Sequence, residues 1–296
     1  MNSIGITLGE PAGIGPEIVH KALSSSSIPK DFHYAIFGET HPHRPGELTL
    51  ASARAAYQAL QEAIQAWKTG QISAIVTAPI HKKNMSRIGF SFPGHTEFFS
   101  HACGLPLDSA VMVMHDPKLS VALLSAHIPL SEAPRFYTKK RIQQVAKVYS
   151  QFLASFYPNG YQIALAGLNP HAGEEGYIGY EEVIAQSAIS ELQAEGIPIS
   201  GPYSPDTLYY RAARGDFQGI IAAYHDQALI PFKLLAFSTG VNVTLGLPLI
   251  RTSPDHGTAL DIAGKNIADP SSMIAAIQLA CHLVRTSLNN TPVNRS

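Results

Sequence analysis

The sequence predicts an α/β fold carried mainly by parallel sheet, and three observations point there. Strand-like apolar runs alternate with helical patterns nearly from end to end. Runs such as SVALL, QIALA and GIIAA are continuous rather than alternating, as in strands buried on both faces. Each of these runs passes directly into a polar loop. Taken in order, Ile4–Leu8, Tyr34–Phe37 and Ala74–Thr77 read as strands. Ala51–Lys68, with Ala, Gln and Leu at helical spacing, lies between the last two. Val111–Met114 and Val121–Leu124 pair as a hairpin across Asp116-Pro117. Lys139–Phe156 and Glu181–Glu195 read as helices, and Ile163–Ala166, Ile220–Ala223 and Val241–Leu245 as strands. Arg251 to Lys265 reads as a long loop of small and polar residues. Ser271–Val284 is a closing helix with Pro270 just ahead of it. Pro/Gly-rich joints at Gly104-Leu105-Pro106 and Gly246-Leu247-Pro248 suggest two lobes, residues 1–104 with 249–296 and residues 105–248.

Composition narrows the function. The 296 residues carry 21 Lys and Arg against 22 Asp and Glu, a net charge of −1. No global field therefore favours nucleic acid or an anionic membrane, and any anionic ligand must be met by locally placed cations. Two cysteines, far apart and without finger spacing, argue against a disulfide framework or a zinc finger. No run approaches the ~18 apolar residues of a membrane span, and the N-terminus has no basic region ahead of an apolar stretch. A cytoplasmic location is expected, with neither nucleic acid nor membrane as a partner.

The chemistry gathers at strand ends. His127, His171 and His225 each follow an apolar run and have polar neighbours. In open parallel sheets ligands collect beyond the strands' carboxyl ends, so three imidazoles on one rim could hold a divalent metal with positions left for substrate. Three unrelated loop histidines are the bland alternative in a chain with 13. Asp226, adjacent to His225, could act as a base, orient a ligand or support the metal ligand. The opening GEPAGIGPEI places glycines between a strand and a helix start, fit for close approach to a ligand or simply for a tight turn. In Gly94-His95-Thr96-Glu97, Thr96 could cap a helix while His95 and free N–H groups receive a phosphate. Lys233, Asn242 and Arg251, each alone a surface group, would as a set neutralise and orient a phosphate or carboxylate.

The string DHGTALDIAGK resembles the adenine-binding loop of the isocitrate and isopropylmalate dehydrogenases, and GEPAGIGPEI resembles their opening. With TAPIHK, GHTEFF, HIPL, LNPHAGE, YHDQ and VNVTLGLPLIRTSPDHGTALDIAG, the chain is identified as a member of the PdxA family, the 4-hydroxythreonine-4-phosphate dehydrogenases of vitamin B6 biosynthesis. The likeness runs from about Gly5 to Ala276. It implies two α/β/α lobes of the isocitrate dehydrogenase type with a cleft between them, and a homodimer with active sites at the subunit interface. It also implies a divalent ion (zinc, magnesium or cobalt) on His127, His171 and His225. Substrate would be held by His95, Thr96, Lys233, Asn242 and Arg251, and NAD or NADP by His256, Gly257, Thr258, Ala259 and Asp261. Asp226, Lys233 and Asp206 are the acid–base candidates. The implied reaction oxidises 4-phosphooxy-L-threonine to 2-amino-3-oxo-4-phosphooxybutanoate, which loses CO₂ to give 3-amino-2-oxopropyl phosphate. Two alternatives remain: a dehydrogenase of a phosphorylated sugar acid such as threonate or erythronate 4-phosphate, and more remotely a phosphate acyltransferase on a similar architecture. One departure stands out: between Gly38 and the helix near Leu50 the chain is shorter than most of the family, which puts part of the first lobe in question.

Overall fold

A computed structural model describes residues 2–39 and 42–289. The chain runs β1 (Ser3–Thr7), α1 (Gly15–Leu23), β2 (His33–Phe37), α2 (Leu50–Lys68), β3 (Ala74–Thr77), α3 (Lys82–Ser86) and α4 (His95–Ala102). Then come β4 (Val111–Asp116), β5 (Leu119–Leu123), α5 (Lys139–Ala154), β6 (Ile163–Ala166), α6 (Glu181–Ala194), β7 (Ile199–Tyr203) and α7 (Pro205–Ala213). It ends with β8 (Gly219–Ala222), α8 (His225–Ala236), β9 (Val241–Leu245), β10 (Ile250–Pro254) and α9 (Ser271–Asn289). Two compact units result, Met1–Ala110 with Ser238–Ser296, and Val111–Phe237. The crossings fall at residues 110 and 237 and not at the Pro/Gly joints. β9 pairs with β10 along Val241–Thr244, so it belongs to the first unit.

In the first unit the strand order is β2-β1-β3-β10-β9, parallel except for β9. Every residue of β1 and β3 is buried, which explains their unbroken apolar character. α2 begins with a reciprocal cap: Thr49 Oγ1 accepts from Ser52 N at 3.0 Å, and Ser52 Oγ accepts from Thr49 N at 3.1 Å. Its Ala53, Ala56, Leu60 and Ala63 pack with Ile75, Met85, Phe98 and Phe99. Arg251 was expected in a loop; it lies instead within β10, buried in register with Ile75 of β3 and Thr244 of β9. Its neighbours Thr252 and Ser253 gave no apolar signal, and pairing to β3 overrode the local polarity.

The second unit has the order β4-β5-β8-β6-β7, with the expected β4/β5 hairpin at one edge and parallel strands beyond it. Met114, Val121, Leu123, Ala164, Ile220, Ala222 and Phe232 form its core. Among the described residues no helix is long and apolar enough to cross a membrane.

The opening glycines serve packing. Gly9 has φ +67°, and a Cβ there would lie 2.3 Å from Pro79 O; one on Gly15 would lie 2.1 Å from Leu8 O. The structure shows a tight turn here. Behind it Asn84 is buried, its Nδ2 donating to Glu10 Oε2 (3.1 Å), Thr49 O (2.9 Å) and Ser52 Oγ (3.2 Å). This amide joins the opening turn to α2 and α3. Asn84→Ala leaves the buried Glu10 carboxylate short of a donor and should lower stability by about 1–3 kcal/mol, read as a shift in the urea midpoint.

Candidate active site

β5, β8 and β6 are parallel neighbours, so their carboxyl ends share one rim, and a histidine follows each. Ser125 donates to Ala223 O at 2.7 Å and ties the exit of β5 to that of β8. His127 follows on the first of these exits, and His225 is the first residue of α8 on the second. Their ring centroids are 5.6 Å apart. His225 Nδ1 lies 2.7 Å from Asp226 Oδ1. A carboxylate on Nδ1 fixes the ring and leaves Nε2 to meet an ion, the arrangement seen behind metal-ligating histidines.

His171 is placed by a different device. Residues 171–175 all have positive φ, from 42° to 74°, and only Gly173 among them lacks a Cβ. Such conformations cost about 1–3 kcal/mol each and persist only where surroundings over-determine them. The buried Glu182 does so here: its carboxylate accepts from Asn169 N at 2.7 Å and from Asn169 Nδ2 at 2.9 Å. A Cβ on Gly173 would stand 2.6 Å from Glu182 Oε2. His171 lies within electrostatic reach of Asp206, whose carboxyl is held below its usual range first by the Ser204 hydroxyl and also by that imidazole. Among the described residues no group of three or more His, Cys, Asp or Glu stands assembled to hold an ion. Within one chain, then, His127 and His225 are paired while His171 is set beside Asp206. The donor types and the carboxylate behind His225 fit a divalent ion.

Of the acid–base candidates, Asp226 is largely exposed at the start of α8, and Asp206 is the second residue of α7. Lys233 sits eight residues beyond His225 on α8, about 12 Å along the axis, with Nζ 5.7 Å from the Phe237 ring centre. It is therefore not part of the imidazole rim of its own unit.

The anion-type residues of the first unit do come together. Arg251, 2% exposed, donates from Nη2 and Nε to Thr77 Oγ1 (2.7 and 3.2 Å) and from Nη1 to Thr244 Oγ1 (3.2 Å). Its acceptors are neutral hydroxyls. Burial pushes its pKa down to about 9, against the opposing pull of Glu97, so it remains a cation at neutral pH. Phe99 lies beneath both Arg251 (5.9 Å, Cζ to ring centre) and His95 (6.2 Å between centroids). Desolvation first, then the charges of Arg251 and Lys82, push the His95 pKa well below its ordinary value, so the ring is neutral. His95 Nε2 and Asn242 Oδ1 are shielded from water without a hydrogen-bond partner. Buried polar atoms left this way mark places where a ligand would complete the bonding. Thr96 is the second residue of α4, whose N-cap is Gly94; it does not cap the helix. Thr77, Thr244, Glu97 and Lys82 were assigned no role from the sequence, although all four lie within the quoted motifs TAPIHK, GHTEFF and VNVTLG.

The candidate cofactor loop is anchored on α1. Thr258 O accepts from Ile14 N at 3.0 Å, Ala268 N donates to Glu17 at 2.7 Å, and Lys21 donates to Asn266 O and Ala268 O, each at 3.0 Å. Gly257 has open space on the face where a Cβ would stand, and Nε2 of the adjacent His256 is buried without a partner. Ala259 has φ 40°, and Asp261 is exposed at the turn that follows. An open backbone face beside an unpartnered ring nitrogen fits a flat heteroaromatic ligand. Asp269 is occupied as a cap, accepting from Ser271 N (2.9 Å) and Ser271 Oγ (2.6 Å).

The chain matches the family model of the pyridoxal phosphate biosynthetic protein PdxA over residues 17–280. It is 41% identical to a 4-hydroxythreonine-4-phosphate dehydrogenase of Zymomonas mobilis, covering 95% of this chain and 96% of that one. It is 35% identical to a putative D-threonate 4-phosphate dehydrogenase of Bradyrhizobium diazoefficiens, over 94% and 95% of the two chains. A crystal structure of a 4-hydroxythreonine-4-phosphate dehydrogenase from Klebsiella pneumoniae superposes with a TM-score of 0.78 at 33% identity, covering 96% of this chain and 100% of that one. At 14% identity an isocitrate dehydrogenase of Methylococcus capsulatus shares the fold, with a TM-score of 0.57.

The neutral His95 has a consequence for stability. As pH falls below the ordinary histidine value of 6.5, the unfolded chain takes up a proton that the folded chain refuses. Stability from this source is complete above that value and is lost progressively below it, by up to about 1.4 kcal/mol per pH unit. His95→Gln should flatten this acid limb in urea midpoints measured between pH 8 and pH 5.

Proposed function

The chain belongs to the PdxA family, and we propose that it oxidises the secondary alcohol of 4-phosphooxy-L-threonine with NAD or NADP in the presence of a divalent ion. The resulting 2-amino-3-oxo-4-phosphooxybutanoate is a β-keto acid and loses CO₂ to give 3-amino-2-oxopropyl phosphate, a precursor on the way to pyridoxine 5′-phosphate. The observation that carries this reading is the water-shielded cluster around Arg251, in which His95 Nε2 and Asn242 Oδ1 have no hydrogen-bond partner. The phosphate of the substrate would supply the acceptor oxygens and the negative charge that suit such a cluster.

An ion held by His127, His171 and His225 would supply Lewis acidity at the alcohol, and the nicotinamide would supply the hydride acceptor. Arg251, His95, Thr96 and Asn242 bind the phosphate and thereby orient the carbon to be oxidised. Asp226 takes the alcohol proton, with Lys233 and Asp206 as the further acid–base groups. His256, Gly257, Thr258, Ala259 and Asp261 hold the adenine end of the cofactor.

A homodimer fits the surface of α8. Ile230, Leu234 and Phe237, at helical spacing, are 69%, 84% and 77% exposed, an apolar stripe on the helix that carries His225 and Lys233. Burying that stripe against a second copy would place these groups at the interface. Leu234→Asp should shift the protein toward monomer in sedimentation and lower kcat with it.

The likeness to a putative D-threonate 4-phosphate dehydrogenase keeps a second substrate in view, with hydroxyl in place of amine at one carbon. Reduction of NAD and of NADP should be followed with 4-phosphooxy-threonine, threonate 4-phosphate and erythronate 4-phosphate, before and after chelation. The reading expects ion-dependent turnover, fastest with the amino acid, and His171→Ala should lose bound metal and turnover together. Full activity after exhaustive chelation, or in that variant, would refute the imidazole site. Turnover confined to the sugar acids would transfer the assignment to that chemistry.

A further inference from the structure

We propose that Lys82 is the second cation of the anion cluster and sets its preference for a doubly charged phosphoryl group. The inference rests on the phosphate reading given above. The TAPIHK segment leaves β3 with Thr77 bonded to Arg251, and five residues later Lys82 opens α3. That helix start is held firmly: the His81 side chain accepts from Asn84 N at 3.1 Å, and the Asn84 amide is tied to Glu10, Thr49 and Ser52. The Lys82 side chain reaches Gly94, the residue before His95. A Cβ placed on Gly94 would lie 3.5 Å from Lys82 Cε and 3.7 Å from Nζ. The ammonium therefore lies near the N-cap of α4, with the Glu97 carboxylate at 3.5 Å from the same point. The charge of Lys82 reaches the His95 ring, as does that of Arg251.

Charge counting shows what Lys82 adds. His95 is neutral, and the Arg251 cation is offset by the carboxylate of Glu97, which acts on it through space. Without Lys82 the cluster would have no net charge and little preference for a dianion over a neutral group. With it the net charge is positive, while the hydroxyls of Thr77 and Thr244 stay neutral acceptors for the guanidinium. A phosphate monoester carries close to two negative charges at neutral pH and offers three acceptor oxygens. Arg251 presents a rigid fork from the sheet, and Lys82 a mobile point charge from the exposed side.

The test uses the full-length protein with inorganic phosphate as probe, measured by calorimetry, and His95 ring resonances followed by NMR. Lys82→Met keeps the apolar stem and removes the charge; Lys82→Arg keeps the charge. Lys82→Met should weaken phosphate binding on the order of tenfold and let His95 titrate closer to the ordinary imidazole range. Lys82→Arg should stay within about threefold of the parent protein. With the proposed phosphorylated substrate, Lys82→Met should raise KM far more than it lowers kcat. Parent-like phosphate binding and an unmoved His95 titration in Lys82→Met would overturn the assignment of Lys82 while leaving the phosphate site standing. Failure of the parent protein to bind phosphate, with Arg251→Gln indistinguishable from it, would instead remove the phosphate reading and this inference together.

Discussion

Arg251 sits inside a sheet, between strands that bond to it on both sides, with two threonine hydroxyls as its acceptors. A guanidinium taken out of water with only neutral hydrogen-bond acceptors is costly, even with the Glu97 carboxylate acting on it through space, and a bound anion would add compensation. Much of the first unit is arranged around that fact. Thr77 ends β3 where its oxygen reaches the guanidinium, β9 runs antiparallel to bring Thr244 opposite, and Phe99 walls the cluster on one side. Burial first, and then the charges of Arg251 and Lys82, suppress protonation of His95, so that ring is neutral and not a second charge competing for space.

The second unit meets its task with backbone strain in place of buried charge. Five successive residues around His171 occupy the left-handed region, and Glu182 holds them by gripping Asn169 at backbone and side chain. A turn this unfavourable would relax in an isolated peptide. Its cost is carried by the stable parallel strands on either side, a common division between rigid scaffold and strained functional loop. His127 and His225 need less help, because the hydrogen bond from Ser125 to Ala223 aligns the two strand exits that deliver them.

The connector after Gly38 packs against the candidate cofactor loop. In its described part Gly46 N donates to Ala12 O at 2.7 Å, and a Cβ on Gly264 would lie 2.7 Å from Pro45 Cβ, so the connector rests on both the opening turn and the loop.

Much of this was legible in the linear chain. Unbroken apolar runs identified β1, β3, β5, β6 and β8, because strands buried on both faces leave no other pattern, and the histidines were found by their place after such runs. Long motifs carried the family resemblance, because strings of that length rarely agree by chance. Other features had no local signal. β10 is polar in sequence and becomes a strand only by pairing with β3 and β9, so Arg251 could not be read as buried. Glu182 and Lys82 act on residues twelve or more positions away, through contacts that only folding brings about. Residue type and periodicity are properties of short segments and survive in the sequence. The neutrality of His95, the strained turn at His171 and the cation beside Gly94 are properties of neighbours distant in the chain, and tertiary packing alone decides who those neighbours are.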